Sequence, residues 1–506
     1  MACSRSRFGS QSGMLRFSPN ANRAHSIAWH EWSDAAFERA QNESKPVLLF
    51  LAAFWCRYCQ RMDEEAFSDA EVIALLNAYF ISLRVDYAQR PDVDARYNLN
   101  GWPTLAFMAP HGQLLAAVNY LPADQLKELL IDVYIGYQQR EEELGAAEQT
   151  PAEQAAPVRL SDGELAANLA KISDSIMALA DRTHGGYDRG QKFIHPQVNE
   201  FLLGRYRATK DRQYLDQVCL TLERMRAGAL YDAEAGAYFR TASNPDWSHP
   251  HREKLLAEEA GLLANCLSVF RLSRRGEFRR MAEEIIEYLD GKLLDPASGA
   301  FFGCEDFLRR ESGASGGDFF TIIDRCIYVE ANAVAAAAYL DAAVLLDESS
   351  YRDRALAVMD FLLQHCRGDA GGMCHFFDGK PQVRGLLQDQ AHMGIALVDA
   401  YKATGADRYL DDAKRLAEFI LVELKNSAGG FYDILAQETA ALGGRLTLIE
   451  LNGAAATFFC RLSHAARDAR YRDGARHALG AFAGDFESYG IHAAPFGIAL
   501  QTFLIP

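Results

Sequence analysis

The feature that most limits the possible folds is a continuous apolar run that ends on two closely spaced cysteines. The run at residues 46–54 reads PVLLFLAAF, and Trp-Cys-Arg-Tyr-Cys follows at 55–59. An apolar run of this length, preceded by turn signals, is typical of a strand covered on both faces. Residues 59–80 are rich in helix formers and place apolar side chains on one face. The sequence therefore predicts a cysteine pair where a buried strand passes into a helix.

The next stretch continues the alternation of strands and helices. A second strand, ISLRVD, ends at Asp86, and a short helical stretch, PDVDARYNL, leads to the strand GWPTLAFMAP. The turn HGQ then joins this strand to LLAAVNY, and a final helix begins near Pro122. This order of elements predicts an α/β sandwich.

A chain of 506 residues is long enough for two or more domains. The sequence becomes polar between about residues 138 and 160, which indicates a linker with helical pieces. Beyond it, amphipathic helical segments alternate with Gly-rich turns. We therefore predict a flexible N-terminal segment over 1–25, the α/β domain over 26–137, the linker over 138–160 and an all-α domain over 161–506.

The helical domain contains a weak internal repeat. Four-residue motifs that begin with glycine recur at intervals of roughly 50 to 70 residues, somewhat beyond the usual repeat range. They are Gly185-Gly-Tyr-Asp, Gly236-Ala-Tyr-Phe, Gly299-Ala-Phe-Phe, Gly371-Gly-Met-Cys and Gly429-Gly-Phe-Tyr. Helix pairs between such turns stack either into a closed ring or into an open solenoid. A ring of about six hairpins fits roughly 340 residues.

Charge and hydropathy exclude several classes of partner. The chain has 68 acidic and 52 basic side chains, a formal charge of −16, which argues against general binding to nucleic acid or anionic membrane. No stretch approaches the roughly 20 apolar residues of a membrane helix, so a soluble protein is expected. Residues 1–25 contain arginines and serines and no acid, as in a transit peptide, but lack an apolar signal-peptide core. We expect a cytoplasmic location.

The cysteine pair has the arrangement of a redox dithiol. A helix N-terminus stabilises a thiolate through its dipole and its free N–H groups, and Arg57 adds a positive charge beside Cys56. Cys56 is therefore the predicted nucleophile, and Cys59 is the resolving thiol. Further members of the predicted redox site are Trp55, Tyr58, Trp102 and Pro103. We predict that Pro103 is cis and packs against the dithiol.

Two other roles for this pair remain open. It could be half of a zinc or copper site, or it could be kept for stability alone. No second Cys-x-x-Cys and no histidine pair at metal spacing accompanies it, so we predict neither a metal nor a cofactor. The remaining cysteines are expected to be buried small apolar residues. They are Cys3, Cys219, Cys266, Cys304, Cys326, Cys366, Cys374 and Cys460.

The segments PVLLFLAAFWCRYC, RVD and NGWPTLAFMAPHGQ resemble the active-site turn, central strand and cis-proline loop of the thioredoxin superfamily. The longer segment from SPNANRAHSIAWHEWSD to AFSDAEVIALLN resembles the opening of the DUF255 family, the YyaL-like and spermatogenesis-associated-protein-20-like proteins. GGYDRGQKFIHPQ, KLLAEEAGLLANC and GLLQDQAHMGIALVDAYKATGADRYL extend the likeness. The resemblance implies a thioredoxin-like α/β sandwich followed by an all-α (α/α)6 toroid.

The sequence departs from this family at two places. The family usually has histidine where Arg57 and Gln60 stand, and its Trp-Asn segment appears here as Glu330-Ala-Asn332. Both cysteines persist, so the dithiol chemistry that the resemblance implies is retained. Activities that need those histidines or that tryptophan are not implied.

The implied toroid is similar to those of N-acylglucosamine epimerases and several glycosidases, where polar loop residues at one mouth hold a sugar. Acid/base residue types at predicted mouth positions are candidates for such a site. They are Lys192, His195, Lys254, Glu258, Asp324, Asp389, His392 and Asn452. Alternatively, these residues cap helices and satisfy buried backbone, His195 holds a turn, and Lys254 and Glu258 form an ordinary ion pair.

Three functions are compatible with these observations. The first is a thiol-disulfide oxidoreductase that acts on a disulfide-containing protein or a small thiol. The second is a carbohydrate-active enzyme, an epimerase or a glycoside hydrolase, with a sugar in the toroid and a regulatory thioredoxin domain. The third is a binding or scaffold protein without chemistry.

Overall fold

The computed structural model describes residues 15–144, 161–309, 319–438 and 444–505. These residues form two compact units, one built mainly from the chain up to the linker and the other from most of the remainder. Within the described residues, no helix is long and apolar enough to cross a membrane.

The first unit is a five-stranded mixed sheet with helices, in the strand order β1-β3-β2-β4-β5. β1 and β2 run parallel to β3, whereas β4 runs antiparallel to both β2 and β5. The strands are β1 (Trp29–His30), β2 (Val47–Ala52), β3 (Ile81–Asp86), β4 (Thr104–Met108) and β5 (Leu114–Val118). The helices are α1 (Asp34–Asn42), α2 (Arg57–Glu64), α3 (Ala70–Tyr79), α4 (Pro91–Tyr97) and α5 (Ala123–Leu144).

The core of this unit lies on both faces of its central strands. Every residue of β2, β3 and β4 is buried, which confirms the prediction of a covered strand before the cysteines. The predicted order of strands and helices from residue 46 onwards is also confirmed, except that the helical segment expected over residues 59–80 forms two helices, α2 and α3. β1 and α1 were not predicted. A two-residue strand such as β1 carries no periodicity to detect.

The segment before residue 26 packs against the domain rather than standing apart as predicted. The Ser18 backbone N–H donates to Asp63 Oδ2 at 2.7 Å, and its hydroxyl donates to Glu64 Oε1 at 2.6 Å. Ala24 is fully buried and accepts a hydrogen bond from the indole N–H of Trp29 at 2.9 Å. Residues 15–25 therefore belong to the first unit. The rest of the segment predicted as flexible, residues 1–14, lies outside the described residues.

Helix α5 continues through Leu144, so residues 138–144 of the predicted linker are helical. Residues 145–160 of that linker lie outside the described residues. The next helix starts at Asp162 with a capping box, in which Ser161 and Glu164 satisfy each other's backbone N–H groups.

The second unit contains twelve α-helices among its described residues. They are α6 (Asp162–Leu179), α7 (Pro196–Thr209), α8 (Arg212–Ala227), α9 (Leu256–Ser273), α10 (Gly276–Tyr288), α11 (Val329–Leu345), α12 (Ser349–His365), α13 (Leu387–Thr404), α14 (Asp407–Glu423), α15 (Ile449–Ala466), α16 (Ala469–Gly480) and α17 (Ala494–Leu504).

Six of these helices close into a ring. Each odd-numbered helix from α7 to α15 packs against the next odd-numbered helix, and α17 packs against α7. The even-numbered helices pack outside this ring, each against a neighbouring inner helix. Closure excludes the open solenoid and confirms the (α/α)6 toroid. Since inner and outer helices alternate along the chain, all inner helices run in one direction and their N-termini lie at one mouth.

Short strands connect the hairpins at this mouth. They are β6 (Lys192–Phe193), β7 (Tyr231–Asp232), β8 (Ala237–Tyr238), β9 (Thr241–Ala242), β10 (Pro250–His251), β11 (Lys254–Leu255), β12 (Cys304–Arg309), β13 (Phe319–Asp324), β14 (Ile327–Tyr328), β15 (Cys374–Phe377) and β16 (Pro381–Arg384).

The five glycine motifs are the turns that follow the outer helices α6, α8, α10, α12 and α14. The first glycine of every motif has a positive φ, between 73° and 134°, which an L side chain rarely adopts. The third residue of every motif is buried, at 2% exposure or less. The repeat seen in the sequence therefore marks positions where the turn needs glycine and the core needs a large side chain.

The fourth residue of the following inner helix fixes each turn. In α11, Asn332 accepts from the Phe301 N–H at 2.7 Å and donates to the Phe301 and Tyr328 carbonyls at 2.9 Å. Equivalent bonds join Gln390 of α13 to Met373 and Asn452 of α15 to Phe431. In α7, Asn199 instead accepts from the Tyr187 hydroxyl. A buried amide is suited to this position because it can both accept and donate.

Helix α9 has a carboxyl group, Glu259, at this position. Its Oε1 accepts from the Tyr238 N–H at 2.6 Å, while Oε2 is buried without a hydrogen-bond partner in the described residues. Burial raises the pKa of Glu259 to about 8, and the Tyr238 N–H and the charge of Lys254 oppose this rise. Glu259 therefore binds a proton at neutral pH.

Replacing this acid with its amide should change how stability depends on pH. Between about pH 4.5 and 8, folded wild-type protein holds a proton on Glu259 that the unfolded chain releases, so the free energy of unfolding falls as pH rises. Glu259→Gln removes this loss and should be more stable than wild type by about 2 kcal/mol at pH 8. Urea unfolding at pH 5 and pH 8 measures the difference.

The control is Glu234→Gln, which neutralises an exposed carboxylate near the same turn. Its stability should run parallel to that of wild type from pH 5 to pH 8. A Glu259→Gln profile parallel to wild type would contradict a protonated Glu259.

Candidate functional site

The cysteine pair lies at the junction of β2 and α2, as the sequence predicts. Cys56 is the N-cap of α2, and its Sγ accepts a hydrogen bond from the Cys59 backbone N–H at 3.2 Å. The first N–H groups of a helix have no partner inside the helix, so a sulfur at this position satisfies one of them.

The two sulfurs differ in their surroundings. Cys56 is 6% exposed and Cys59 is 3% exposed, one turn inside the helix. Burial raises the pKa of Cys59 well above its ordinary value, hydrogen bonding with Cys56 adds to the rise, and the charge of Arg84 opposes it. Cys59 is therefore held as a thiol. The roles of Cys56 as attacking sulfur and Cys59 as resolving sulfur stay a prediction.

Arg57, the positive charge beside Cys56, forms an ion pair with a carboxylate. Arg57 Nη1 lies 3.6 Å from Glu64 Oε1, two turns along α2. The positive charge predicted next to Cys56 is thus partly neutralised by Glu64.

Three aromatic rings pack together around Trp55, the residue that precedes Cys56. The Trp55 ring lies 5.7 Å from Tyr87 and 5.3 Å from Trp102, and the last two are 4.6 Å apart between centroids. The Trp55 indole N–H donates to the Tyr87 hydroxyl at 3.3 Å. Trp55 and Trp102 were predicted as members of the site. Tyr87 was missed, because its position after β3 gives no motif.

The loop that carries Trp102 is held from two sides. The Trp102 indole donates to Asp94 Oδ1 at 2.9 Å, and burial raises the pKa of Asp94. The Asn119 side chain donates to the Pro103 carbonyl at 3.0 Å and the Leu99 carbonyl at 3.2 Å. The peptide bond before Pro103 is cis, as predicted. Packing of Pro103 against the dithiol stays a prediction.

A buried ion pair lies under α2. Both Asp63 oxygens accept from Arg84 of β3, at 2.8 and 2.7 Å. Burial raises the pKa of Asp63, while the charge and hydrogen bonds of Arg84 oppose the rise. The Arg84 guanidinium also lies over the rings of Phe17 and Phe50 at 4.4 and 4.8 Å. The pair fixes α2 to the sheet, and it was not predicted from the sequence.

The described cysteines outside the motif are all buried, as predicted for small apolar residues. Cys3 lies outside the described residues. No group of three or more possible metal ligands occurs among the residues that the structure describes.

Three toroid candidates have structural roles. Lys192 is fully buried and donates to Asp181 and to the Gly185 carbonyl, both at 2.9 Å. Lys254 is also fully buried, and it pairs with Asp232 at 2.8 Å and Glu305 at 3.3 Å. The suggested Lys254–Glu258 ion pair is therefore wrong, since Lys254 belongs to β11 and its partners lie elsewhere. Asn452 holds a turn, as described above.

Of two further candidates, Asp324 stabilises local structure and Glu258 has a raised pKa. Asp324 accepts from the Cys326 N–H at 3.0 Å and from the Tyr328 hydroxyl at 2.9 Å. Glu258 lies in the first turn of α9, and burial raises its pKa to about 8. Its Oε2 is buried without a hydrogen-bond partner in the described part of the chain. The carboxyl group of Glu258 therefore holds a proton at neutral pH.

The remaining candidates pair histidine with carboxylate at the mouth. His195 precedes α7, and its Nε2 lies 3.0 Å from Asp188 Oδ2. Asp389 is fully buried against His375 Nδ1 at 3.0 Å, and burial raises the pKa of Asp389 to about 6. His375 and Asp188 were not predicted as site residues.

His392 lies one turn beyond Asp389 on α13. Its Nδ1 donates to the Gln388 carbonyl at 3.0 Å and lies 3.6 Å from Glu330 Oε1. A donor role for Nδ1 leaves Nε2 as the basic nitrogen of the neutral ring. The Gln388 amide in turn donates to Glu330 Oε2 at 2.7 Å. The structure thus brings Asp389, His392 and the unpredicted Glu330 together at the ends of α11 and α13.

The fold and the dithiol define a thioredoxin-like domain followed by an (α/α)6 toroid. Residues 12–155 match the family model Thioredox_DsbH, described as "Protein of unknown function, DUF255", which confirms the resemblance to the DUF255 family. Human spermatogenesis-associated protein 20 is 27% identical over 305 residues, which cover 55% of this chain and 39% of that protein. The chain therefore matches well under half the length of this relative.

Two bacterial relatives match the thioredoxin-like domain. Thiol:disulfide interchange protein DsbD 1 of Pseudomonas aeruginosa is 43% identical over 84 residues, 16% of this chain and 14% of that protein. Disulfide bond reductase DsbH of Chlamydia pneumoniae is 24% identical over 111 residues, 20% of this chain and 66% of that protein.

The toroid fold also occurs in solved structures. A sugar epimerase from a ruminal bacterium superposes with a TM-score of 0.53 at 14% identity, covering 63% of this chain and 85% of that chain. A D-mannose isomerase has a TM-score of 0.53 at 12% identity, covering 69% of this chain and 99% of that chain. At these identities the likeness concerns the fold alone.

Proposed function

We propose that the protein is a thiol-disulfide oxidoreductase whose dithiol is Cys56 and Cys59. The observation that carries this proposal is the position of the pair on α2: Cys56 Sγ caps the N-terminus of the helix, and Cys59 lies one turn behind it with a pKa that burial raises well above its ordinary value. Such an arrangement supports attack by the first sulfur and resolution by the second. The names of the two bacterial relatives agree with this chemistry.

In the proposed reaction, the disulfide bond of the substrate is reduced while Cys56 and Cys59 are oxidised to a disulfide. Cys56 thiolate attacks one sulfur of the substrate disulfide, forming a mixed disulfide and releasing the other sulfur as a thiolate. That thiolate, or water, takes the proton of Cys59, and Cys59 then attacks Cys56 Sγ. The second substrate sulfur leaves as a thiolate, and Cys56 and Cys59 are oxidised to a disulfide. A dithiol reductant returns the pair to its starting state by the reverse exchange.

Burial of Cys59 sets the order of these steps. Because burial raises the pKa of its thiol, Cys59 does not compete with Cys56 for the substrate. Formation of the mixed disulfide removes the negative charge of Cys56 thiolate, which otherwise disfavours a thiolate at Cys59. Cys59 becomes reactive once the mixed disulfide exists.

A second function is favoured by the pairs at the toroid mouth. His392 and His195 each lie beside a carboxylate, and His392 has its basic Nε2 directed by the bond from Nδ1 to Gln388. Such a base can remove a proton next to a sugar carbonyl and, once protonated, can return it. The ligand of this site would be a free aldose, in keeping with the epimerase and isomerase folds. If the toroid does not catalyse this reaction, its role would be to bind a ligand without chemistry.

The oxidoreductase proposal is tested by trapping. Cys59→Ser incubated with a disulfide-bonded peptide should accumulate a mixed disulfide at Cys56, because the resolving thiol is gone. Cys56→Ser should form no mixed disulfide and lose all reductase activity. Mass spectrometry without reductant detects the adduct, and Cys219→Ser, which changes a buried cysteine of α8, serves as the control with normal turnover.

Reductase activity that persists in Cys56→Ser would overturn the oxidoreductase proposal. Equilibrium binding of a protein partner that survives loss of both cysteines, without any turnover in wild type, would instead support a scaffold.

The sugar proposal is tested by proton exchange. Wild type in deuterated water should introduce deuterium at C2 of mannose or glucose, which NMR detects. His392→Ala should lower this rate by about 100-fold, the usual contribution of a general base. His464→Ala, an exposed histidine near the far end of α15, should exchange at the wild-type rate. Absence of exchange in wild type with all aldoses tested would exclude this function.

A further inference from the structure

An exposed aromatic ring lies between the two cysteines of the motif. Tyr58 is 55% exposed, whereas Cys56 and Cys59 on either side of it are buried. Because Tyr58 is the second residue of α2, its ring belongs to the same helix end as Cys56 Sγ. The ring is therefore available to whatever approaches the attacking sulfur.

This ring is held in place by the end of the β4–β5 hairpin. The Tyr58 and Tyr120 ring centroids are 5.5 Å apart, with planes inclined by 58°. The Tyr120 hydroxyl donates to Glu65 Oε2 at 2.7 Å, and the Arg61 guanidinium lies 5.0 Å from the Tyr120 ring centroid. Arg61 also donates two hydrogen bonds to Glu65, at 3.1 and 3.0 Å. Tyr58 is thus one half of a fixed tyrosine pair.

The charges around the tyrosine pair are balanced. Arg61 pairs with Glu65, and Arg57 pairs with Glu64, so each arginine of α2 has a glutamate partner. An anionic disulfide such as glutathione disulfide carries several carboxylates and would need uncompensated cations for selective binding. A fixed aromatic surface without net charge instead favours apolar and aromatic side chains.

We propose that Tyr58, supported by Tyr120, determines substrate specificity by binding an apolar or aromatic side chain next to the substrate cysteine in an extended polypeptide. The occupant of this surface is a polypeptide disulfide rather than a small anionic one. This inference rests on the proposed oxidoreductase function and names its substrate class. Cys56 and Cys59 carry out the exchange, while Tyr58 contributes binding only.

The test compares matched disulfides with variants of Tyr58. The substrates are a disulfide-linked peptide dimer with Phe on each side of Cys, the same dimer with Ser in place of Phe, and glutathione disulfide. Tyr58→Ala should raise KM for the Phe peptide by about tenfold with kcat unchanged, a loss of about 1.4 kcal/mol of binding. Rates with the Ser peptide and glutathione disulfide should stay within about twofold of wild type.

Tyr58→Phe keeps the ring and should behave as wild type, whereas Tyr120→Ala should give an intermediate KM because Tyr58 loses its support. Equal effects of Tyr58→Ala on all three substrates, or no effect on the Phe peptide, would overturn the specificity role. Failure of the underlying function has a different signature, since wild type would then exchange with none of the substrates.

Discussion

The hydrogen bond from the Cys59 N–H to Cys56 Sγ is the interaction on which the redox site depends. It exists because β2 ends four residues before Cys56 and α2 begins directly after it, so the first sulfur takes the N-cap position. The same geometry places Cys59 one turn inside the helix, where burial keeps it protonated. The Asp63–Arg84 pair then fixes α2 to the sheet, so the sulfur positions follow from the packing of the whole domain.

The toroid depends on a different interaction, a hydrogen bond between helix and turn that is repeated in five of its hairpins. A polar side chain at the fourth position of an inner helix binds the preceding glycine turn, which positions the loops at the mouth. Buried lysines add to this support, so much of the polar chemistry near the mouth is structural. The candidates for the proposed sugar site are the half-buried side chains of His195, Glu258 and His392. In both units, a buried polar framework holds the residues on which the proposed chemistry depends.

Local patterns in the sequence were sufficient for much of this structure. The apolar run before Cys56 predicted β2. The glycine motifs predicted stacked helix pairs, in a ring or a solenoid, and the family resemblance implied the ring of six hairpins. The partners of Trp102 and Arg84 could not be predicted, because Asp94 and Asp63 have no distinctive spacing and are buried only in the folded chain. For the same reason Lys254 was paired with its neighbour Glu258, whereas folding brings it to Asp232 and Glu305.

The central claim is that Cys56 and Cys59 form a reversible redox couple. The most direct measurement is a redox titration in glutathione buffers, followed by thiol alkylation and mass spectrometry of the peptide that contains both cysteines, with Cys56→Ser as control. We predict a two-electron transition within roughly −120 to −270 mV that is absent from the control. A pair that stays reduced or oxidised across all buffers, or a transition that survives in Cys56→Ser, would contradict it.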